Sequence, residues 1–157
     1  MEPLFLLDGM LGSLARWLRI CGYDTVYRRD ADDEELMEEA LSRKRILVTG
    51  DRMLAKRAQK RDVEACYIQG KSVTERLRVL GVRYNLKLEP TESRCPKCNG
   101  ELVKVEKEEI NNQVPKCSQE AYNNFWRCNS CGSVFWRGSH WENISRTLEA
   151  ASCTDSL

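Results

Sequence analysis

At 157 residues the chain has room for one ordinary domain or two small ones, which excludes a large multidomain enzyme. Its 41% hydrophobic and 31% charged residues exclude a disordered or fibrous protein. Lys plus Arg number 25 against 24 acids, a formal charge of +1, so bulk charge names no partner. No apolar run approaches the ~20 residues of a membrane helix, and Met1-Glu2-Pro3-Leu4 lacks the basic and apolar regions of a secretion signal.

Residues 4–88 alternate short apolar runs with helical patterns, the signature of βαβ units on a parallel sheet. Leu4-Phe5-Leu6-Leu7 reads as a buried strand ending at Asp8. Leu11, Leu14, Ala15, Leu18 and Cys21 then recur at helical spacing, with Gly22 as the stop. Thr25-Val26-Tyr27 is a second strand. Asp32 and Glu35 fit a variant capping box that opens a helix to about Ser42, with Leu36, Ala40 and Leu41 inward. Arg45-Ile46-Leu47-Val48-Thr49 is a third strand, ending at Gly50-Asp51. A basic helix follows from Arg52 to about Arg61, with Leu54, Ala55 and Ala58 as its apolar side. Glu64 to Ile68 gives a fourth strand, and Ser72-Val73-Thr74-Glu75 caps a helix packed by Val73, Leu77 and Leu80 and ended by Gly81. Four strand–helix repeats predict an α/β protein, a small three-layer α/β/α domain over residues 1–88 with a mainly parallel sheet.

Residues 82–93, with Pro90, read as a linker. The segment 93–145 reads as β-rich, with strands at 102–105, 125–127 and 134–136, and residues 146–157 as a flexible polar tail. Eight cysteines decide what this second segment is. Cys95-Pro-Lys-Cys98 and Cys128-Asn-Ser-Cys131 form two CxxC pairs with 29 residues between them. Without a secretion signature, such pairs point to a reducing, intracellular compartment (cytoplasm or nucleus) and to a metal site rather than disulfides. Each CxxC turn places two thiolates on one side of a knuckle, and two knuckles supply four sulfurs for tetrahedral Zn²⁺. Four thiolates leave no position for water, so this zinc is expected to be structural. A redox CxxC would open a helix beside a βαβ unit, which neither pair does. Gly132 suits the reversal of φ after the second knuckle. Cys21 and Cys66 are expected to be buried as small hydrophobes; Cys117 and Cys153 have no assigned role.

Three acids share a topological feature. Asp8 follows the first strand, Asp51 follows the third, and Asp33 opens the intervening helix. The carboxyl ends of parallel strands form the crevice where ligands bind, so right-handed crossovers bring these acids to one edge. Clustered carboxylates suit Mg²⁺ or Mn²⁺, which can activate water and stabilise the leaving oxygen of a phosphodiester. Taken singly, Asp32 is a helix cap, Asp33, Glu34 and Glu35 suit a helix dipole, and Asp51 caps the helix at Arg52. Asp8 has no such simple account. Arg52, Lys56 and Lys60, at i, i+4 and i+8 and flanked by Arg57 and Arg61, with Arg16 and Arg19 after Asp8, are candidate nucleic-acid contacts that could hold a phosphate backbone, set against the reading of a solvated charged face. Trp126, Trp136, Trp141, Phe125 and Phe135 offer stacking surfaces or form the core of the β-rich segment. His140, the only histidine, would be a fifth zinc ligand and has no obvious partner as a base; a structural or RNA-contacting role is expected.

Residues Leu7 to Arg19, reading LDGMLGSLARWLR, followed by Gly22-Tyr23-Asp24-Thr25, resemble the opening of the mut-seven C-terminal RNase domain, a branch of the PIN-like nucleases. Asp33-Glu34-Glu35-Leu36, the run from Ile46 to Leu54, and the knuckles ending in Trp136-Arg137-Gly138-Ser139-His140-Trp141 are also similar to that family, so the resemblance spans about Leu4 to Trp141. It implies a PIN-like domain joined to a zinc ribbon, and metal-dependent RNA cleavage. Its acidic positions fall on Asp8, Asp33 and Asp51, and Thr49 matches a threonine that usually precedes the last of them. Two departures stand out: Arg52-Met53 replaces a common fourth acid, and Gly50 stands where arginine is common. The leading expectation is a ribonuclease with RNA as partner, structural zinc and catalytic Mg²⁺ or Mn²⁺. The alternative is a non-catalytic RNA-binding or scaffold module. A small-molecule phosphohydrolase is disfavoured by the lack of a phosphate-cradling glycine loop. Oligomeric state is left open.

Overall fold

Three- and four-residue apolar strands become stable only when helices cover both faces of the sheet they form. The computed structural model, which describes residues 2–110 and 112–152, shows this arrangement. In chain order it places β1 (Phe5–Leu7), α1 (Gly12–Ile20), β2 (Thr25–Tyr27), α2 (Asp33–Arg43), β3 (Ile46–Thr49), α3 (Arg52–Lys60), β4 (Ala65–Tyr67) and α4 (Val73–Tyr84). The strands are parallel in the order β2-β1-β3-β4. Alternate side chains divide between two cores. Phe5, Leu7, Val48 and Cys66 face α1 and α4, while Leu6, Leu47 and Ala65 face α2 and α3. Leu14, Leu18, Leu77 and Leu80 are 0% exposed, and each contributes about 1.5–3 kcal/mol of transfer free energy.

Local chemistry sets the element ends. Asp32 caps α2 by accepting from the Glu35 N–H at 2.9 Å, and Glu35 Oε2 accepts from the Asp32 N–H at 3.1 Å, a complete capping box. Met37 rather than Leu41 completes the buried stripe with Leu36 and Ala40; Leu41 falls outside it and is 55% exposed. Helix α4 does not stop at Gly81 but runs to Tyr84 and is capped by Asn85 at φ 53°. Gly81 lies inside the helix, where Leu88 packs 3.1 Å from the position a Cβ would take.

Residues 82–93 are therefore not a free linker. Leu88 is buried in the first core, the Lys87 N–H donates to the Tyr23 hydroxyl at 2.7 Å, and the Ser93 hydroxyl donates to the Ile20 carbonyl at 2.5 Å. Gly22, at φ 90°, has the Thr91 and Glu92 carbonyls 2.9 Å from the position of a Cβ, so a side chain there would push the strap off. Beyond it, β5 (Leu102–Val105), β6 (Phe125–Cys128) and β7 (Val134–Phe135) form an antiparallel sheet. A 3-10 turn, Lys107–Ile110, and a short helix α5, Lys116–Ala121, connect β5 to β6. Ile110, Val114 and Phe125 form its small core. The tail expected over 146–157 is corrected as far as Ser152, with 153–157 outside the described residues: α6 runs Trp141–Ser152 and returns to the first core. Ile144, Leu148 and Ala151 recur at i, i+4 and i+7, and Arg78 donates to the Ala150 carbonyl at 2.8 Å, which fastens α6 to α4. Cys153 lies outside the described residues. No helix among the described residues is long and apolar enough to cross a membrane.

Candidate functional site

The chain leaves β1 toward β2 on one side and leaves β3 toward β4 on the other. The gap between the carboxyl ends of β1 and β3 is thus the switch point of the sheet, where a crevice opens. Asp8 continues β1, and its N–H donates to the Val48 carbonyl at 3.4 Å. Asp51 follows β3 and caps α3, with Oδ1 accepting from the Met53 and Leu54 N–H groups at 2.9 and 3.2 Å. Thr49, 0% exposed at the end of β3, ties the two acids together. Its hydroxyl donates to Asp8 Oδ2 and accepts from the Asp51 N–H at 3.0 Å. Burial raises the Asp8 carboxyl above its ordinary range; the Thr49 hydrogen bond opposes this, and the negative charges of Asp51 and Asp33 add to it. The charges of Asp51 and Asp33 therefore reach Asp8 at this edge, while the oxygens of the three acids are not drawn into a tight cluster.

Asp33, at the start of α2, is turned toward α3. Arg57 Nη1 lies 3.0 Å from Asp33 Oδ2, and Arg57 and Arg61 grip Glu34 at 3.1 and 2.6 Å. Those two flanking arginines are spent on a surface network between α2 and α3. Arg52, Lys56 and Lys60 stay exposed, and none has an ion pair among the described residues. The Arg52 guanidinium lies 5.3 Å from the Tyr67 ring centroid. Arg16 is exposed as well. Arg19 is corrected: it is 7% exposed, and Nε donates to the Thr25 carbonyl while Nη1 donates to the Pro96 carbonyl, both at 2.9 Å. That guanidinium fastens the fold and has no face for phosphate.

The four knuckle cysteines gather in the second segment. Their sulfurs lie within 4.8 Å of one another, the only such group of possible ligands among the described residues. Cys95 and Cys131 Sγ are 3.7 Å apart, and Cys98 and Cys128 Sγ 3.4 Å. Tetrahedral Zn–S bonds of about 2.3 Å set sulfur separations near 3.8 Å, so the thiol set fits a zinc-sized ion. The two knuckles repeat one pattern. Asn99 and Gly132 N–H groups donate to the Cys95 and Cys128 carbonyls at 2.8 and 3.0 Å, and both residues have positive φ, 72° and 76°. Ser133 hydrogen bonds hold the Cys131 thiol down at about 6. Burial pushes Cys95 up to about 12, so an incoming cation must displace its proton. His140 is exposed and not part of the cluster.

A family model for the Mut7-C RNAse domain matches residues 3–148. The chain belongs to that family. No curated protein and no solved structure gives a significant match.

In this Mut7-C domain the first knuckle is clamped to the amino ends of β2 and β3, opposite the acidic edge. Asp24 Oδ1 accepts from Arg45 Nη1 at 2.9 Å and from Asn99 Nδ2 at 2.7 Å, while the Thr25 N–H donates to Asn99 Oδ1 at 2.9 Å. Sequence reasoning overlooked this clamp, because its partners lie 74 or 75 residues apart and no local pattern joins them. Burial raises the Asp24 carboxyl, but the hydrogen bonds from Arg45 and Asn99 and the charges of Arg45 and Arg94 outweigh it and hold it low. Its folded pKa lies below the unfolded value of about 3.9. The stability it contributes is fully present above that value and is lost as pH falls through the folded pKa. Asp24→Asn is expected to cost about 1 kcal/mol at neutral pH, allowing for partial exposure, and to flatten the acid limb of stability below about pH 4. Thermal unfolding scanned against pH checks this; an unchanged acid limb in the variant contradicts it.

Proposed function

We propose that the chain is a metal-dependent ribonuclease whose reaction edge is formed by Asp8, Asp51 and Asp33, with a structural zinc ribbon completing the fold. The observation that carries this reading is the half-buried Asp8 carboxyl at the switch point of the sheet, raised by burial and by two neighbouring acids. Carboxylate oxygens that repel one another suit a hard divalent cation, so the donor set fits Mg²⁺ or Mn²⁺. Asp8 and Asp51 would hold the ion, with Asp33 joining directly or through water. When bound, such an ion supplies an activated water and stabilises the leaving oxygen of a phosphodiester.

The chain's own residues do the positioning. One Thr49 hydroxyl fixes the Asp8 carboxylate and the Asp51 backbone together. Arg57 restrains Asp33 near the edge. The exposed cations Arg52, Lys56 and Lys60 lie on the helix that Asp51 caps, and Arg16 on the helix that follows Asp8, so phosphates can be held on either side. With Arg52-Met53 in place of a fourth acid, the set favours one ion over two.

A specific observation favours the second reading, a non-catalytic RNA-binding module: Asp33 and Glu34 are already neutralised by Arg57 and Arg61. Incubation of the zinc-loaded chain with end-labelled structured and single-stranded RNAs separates the two. The ribonuclease reading expects cutting in Mn²⁺ or Mg²⁺ and none without them. RNA retained uncut under every divalent metal would establish the binding module instead.

A further inference from the structure

A concavity of mixed aromatic and cationic lining lies away from the acidic edge. It is a cavity of about 390 Å³ between the strap, α1 and the antiparallel sheet, within the range of small-ligand and nucleotide sites. Its chemistry is of two kinds. One wall is aromatic: Trp126, its cross-strand partner Phe135, Trp136, and Trp141 at the start of α6. All four are half-buried, presenting ring surface that the folded chain does not cover. The Arg137 guanidinium lies 4.5 Å from the Trp141 ring centroid and 5.8 Å from that of Trp126, which marks both indoles as surfaces that take a flat group, one that an exposed arginine side chain can vacate. The rim is cationic. Arg16, Lys97 and Arg137 are exposed without an ion pair among the described residues, against a single acid, Glu92.

We infer that this cleft binds unpaired RNA, stacking a base on the Trp126 and Trp141 indoles while Arg16, Lys97 and Arg137 take the flanking phosphates. The inference rests on the ribonuclease reading and assigns its substrate class and point of entry. Aromatic faces with adjacent cations match a single strand, because a duplex keeps its base faces stacked inside. Location supports the same occupant. Gly12, Arg16 and Ile20 form one row along α1 at i, i+4 and i+8. Gly12 opens that helix four residues after Asp8, while Arg16 and Ile20 line the cleft. A strand held by the indoles would thus pass the exposed Arg16 on α1 on its way toward the acidic edge.

The test is equilibrium binding of a fluorescein-labelled unstructured RNA oligonucleotide to the zinc-loaded full chain in Ca²⁺, beside the same RNA as a duplex and against UMP and AMP as competitors. Trp126→Ala and Arg137→Glu are each expected to weaken oligonucleotide binding about tenfold or more. Trp126→Phe should restore most of it, the duplex should bind more weakly than the single strand, and the mononucleotides should compete poorly. Arg137 is exposed, so its variant keeps the test sharp if Trp126→Ala loses its fold, which zinc content and Tm report. Unchanged binding in folded Trp126→Ala and Arg137→Glu overturns the cleft, even if the parent still cuts RNA in Mn²⁺. Tight competition by a free mononucleotide also overturns it, in favour of a small-molecule site. Binding lost in the variants with no cutting by the parent in any metal would overturn the ribonuclease reading and leave the cleft standing.

Discussion

Asparagine at Asp8 or at Asp51 is expected to slow metal-dependent RNA cleavage by more than about 100-fold, since even groups that only orient a metal ligand are worth about 10–100-fold. The fold should survive both changes. Asn at position 51 can cap α3 nearly as well as Asp, and Asn at position 8 can still accept from Thr49. The two variants should nevertheless differ in stability. Asp8 has a folded pKa above its unfolded value because burial and neighbouring acids disfavour its charge. Stability that this group contributes at low pH is therefore lost as pH rises through the folded pKa. In metal-free buffer at neutral pH, Asp8→Asn should accordingly have a Tm at or above that of the parent. Initial rates in Mn²⁺ and parallel thermal scans in chelated buffer without loss of zinc give both readouts. Cleavage retained in both variants, or an Asp8→Asn protein that melts well below the parent, contradicts the account.

Removal of one thiol from the four-cysteine group that can hold a metal is the second change with a large expected effect. Structural zinc contributes about 10–16 kcal/mol of apparent binding energy in small zinc peptides. The local core of Ile110, Val114 and Phe125 offers only about 1.5–3 kcal/mol per side chain. Cys95→Ser is therefore expected to reduce bound zinc from one equivalent to none and to abolish hydrogen-exchange protection across β5, β6 and β7. The consequences extend beyond the ribbon. Arg19, Asp24 and Asn99 clamp the first knuckle to the α/β layers, so the strap and the end of α1 should also lose protection, while β1 and β3 remain protected. Native mass spectrometry with hydrogen exchange reads both; persistent protection of β6 without zinc would contradict a structural role for the metal.

The parts of the fold that were legible in the sequence are those with local signatures. Each of β1 to β4 is a short apolar run, Asp32 and Glu35 carry their capping box within one turn, and the cysteine pairs carry their own spacing. The acidic edge could be reasoned out because parallel topology alone brings the ends of β1 and β3 together. What escaped depends on contacts distant in sequence. Gly81 reads as a stop until Leu88 is seen packing on it. Arg19 reads as a surface cation until Pro96, far along the chain, claims it. Helix α6 had a usable signal in the spacing of Ile144, Leu148 and Ala151, masked by the polar residues around them. The pairing of Asp33 with Arg57 had none, since opposite charges on two helices do not declare which will meet.

The most direct measurement is the location of a divalent ion by Mn²⁺-induced broadening of backbone amide signals in the zinc-loaded chain. Broadening confined at low Mn²⁺ to residues 8–10 and 49–52, and lost in Asp8→Asn, is the result predicted for an ion held between the ends of β1 and β3. Broadening that centres on the exposed acids of α2 alone, or that persists unchanged in Asp8→Asn, would contradict a metal site at the switch point of the sheet.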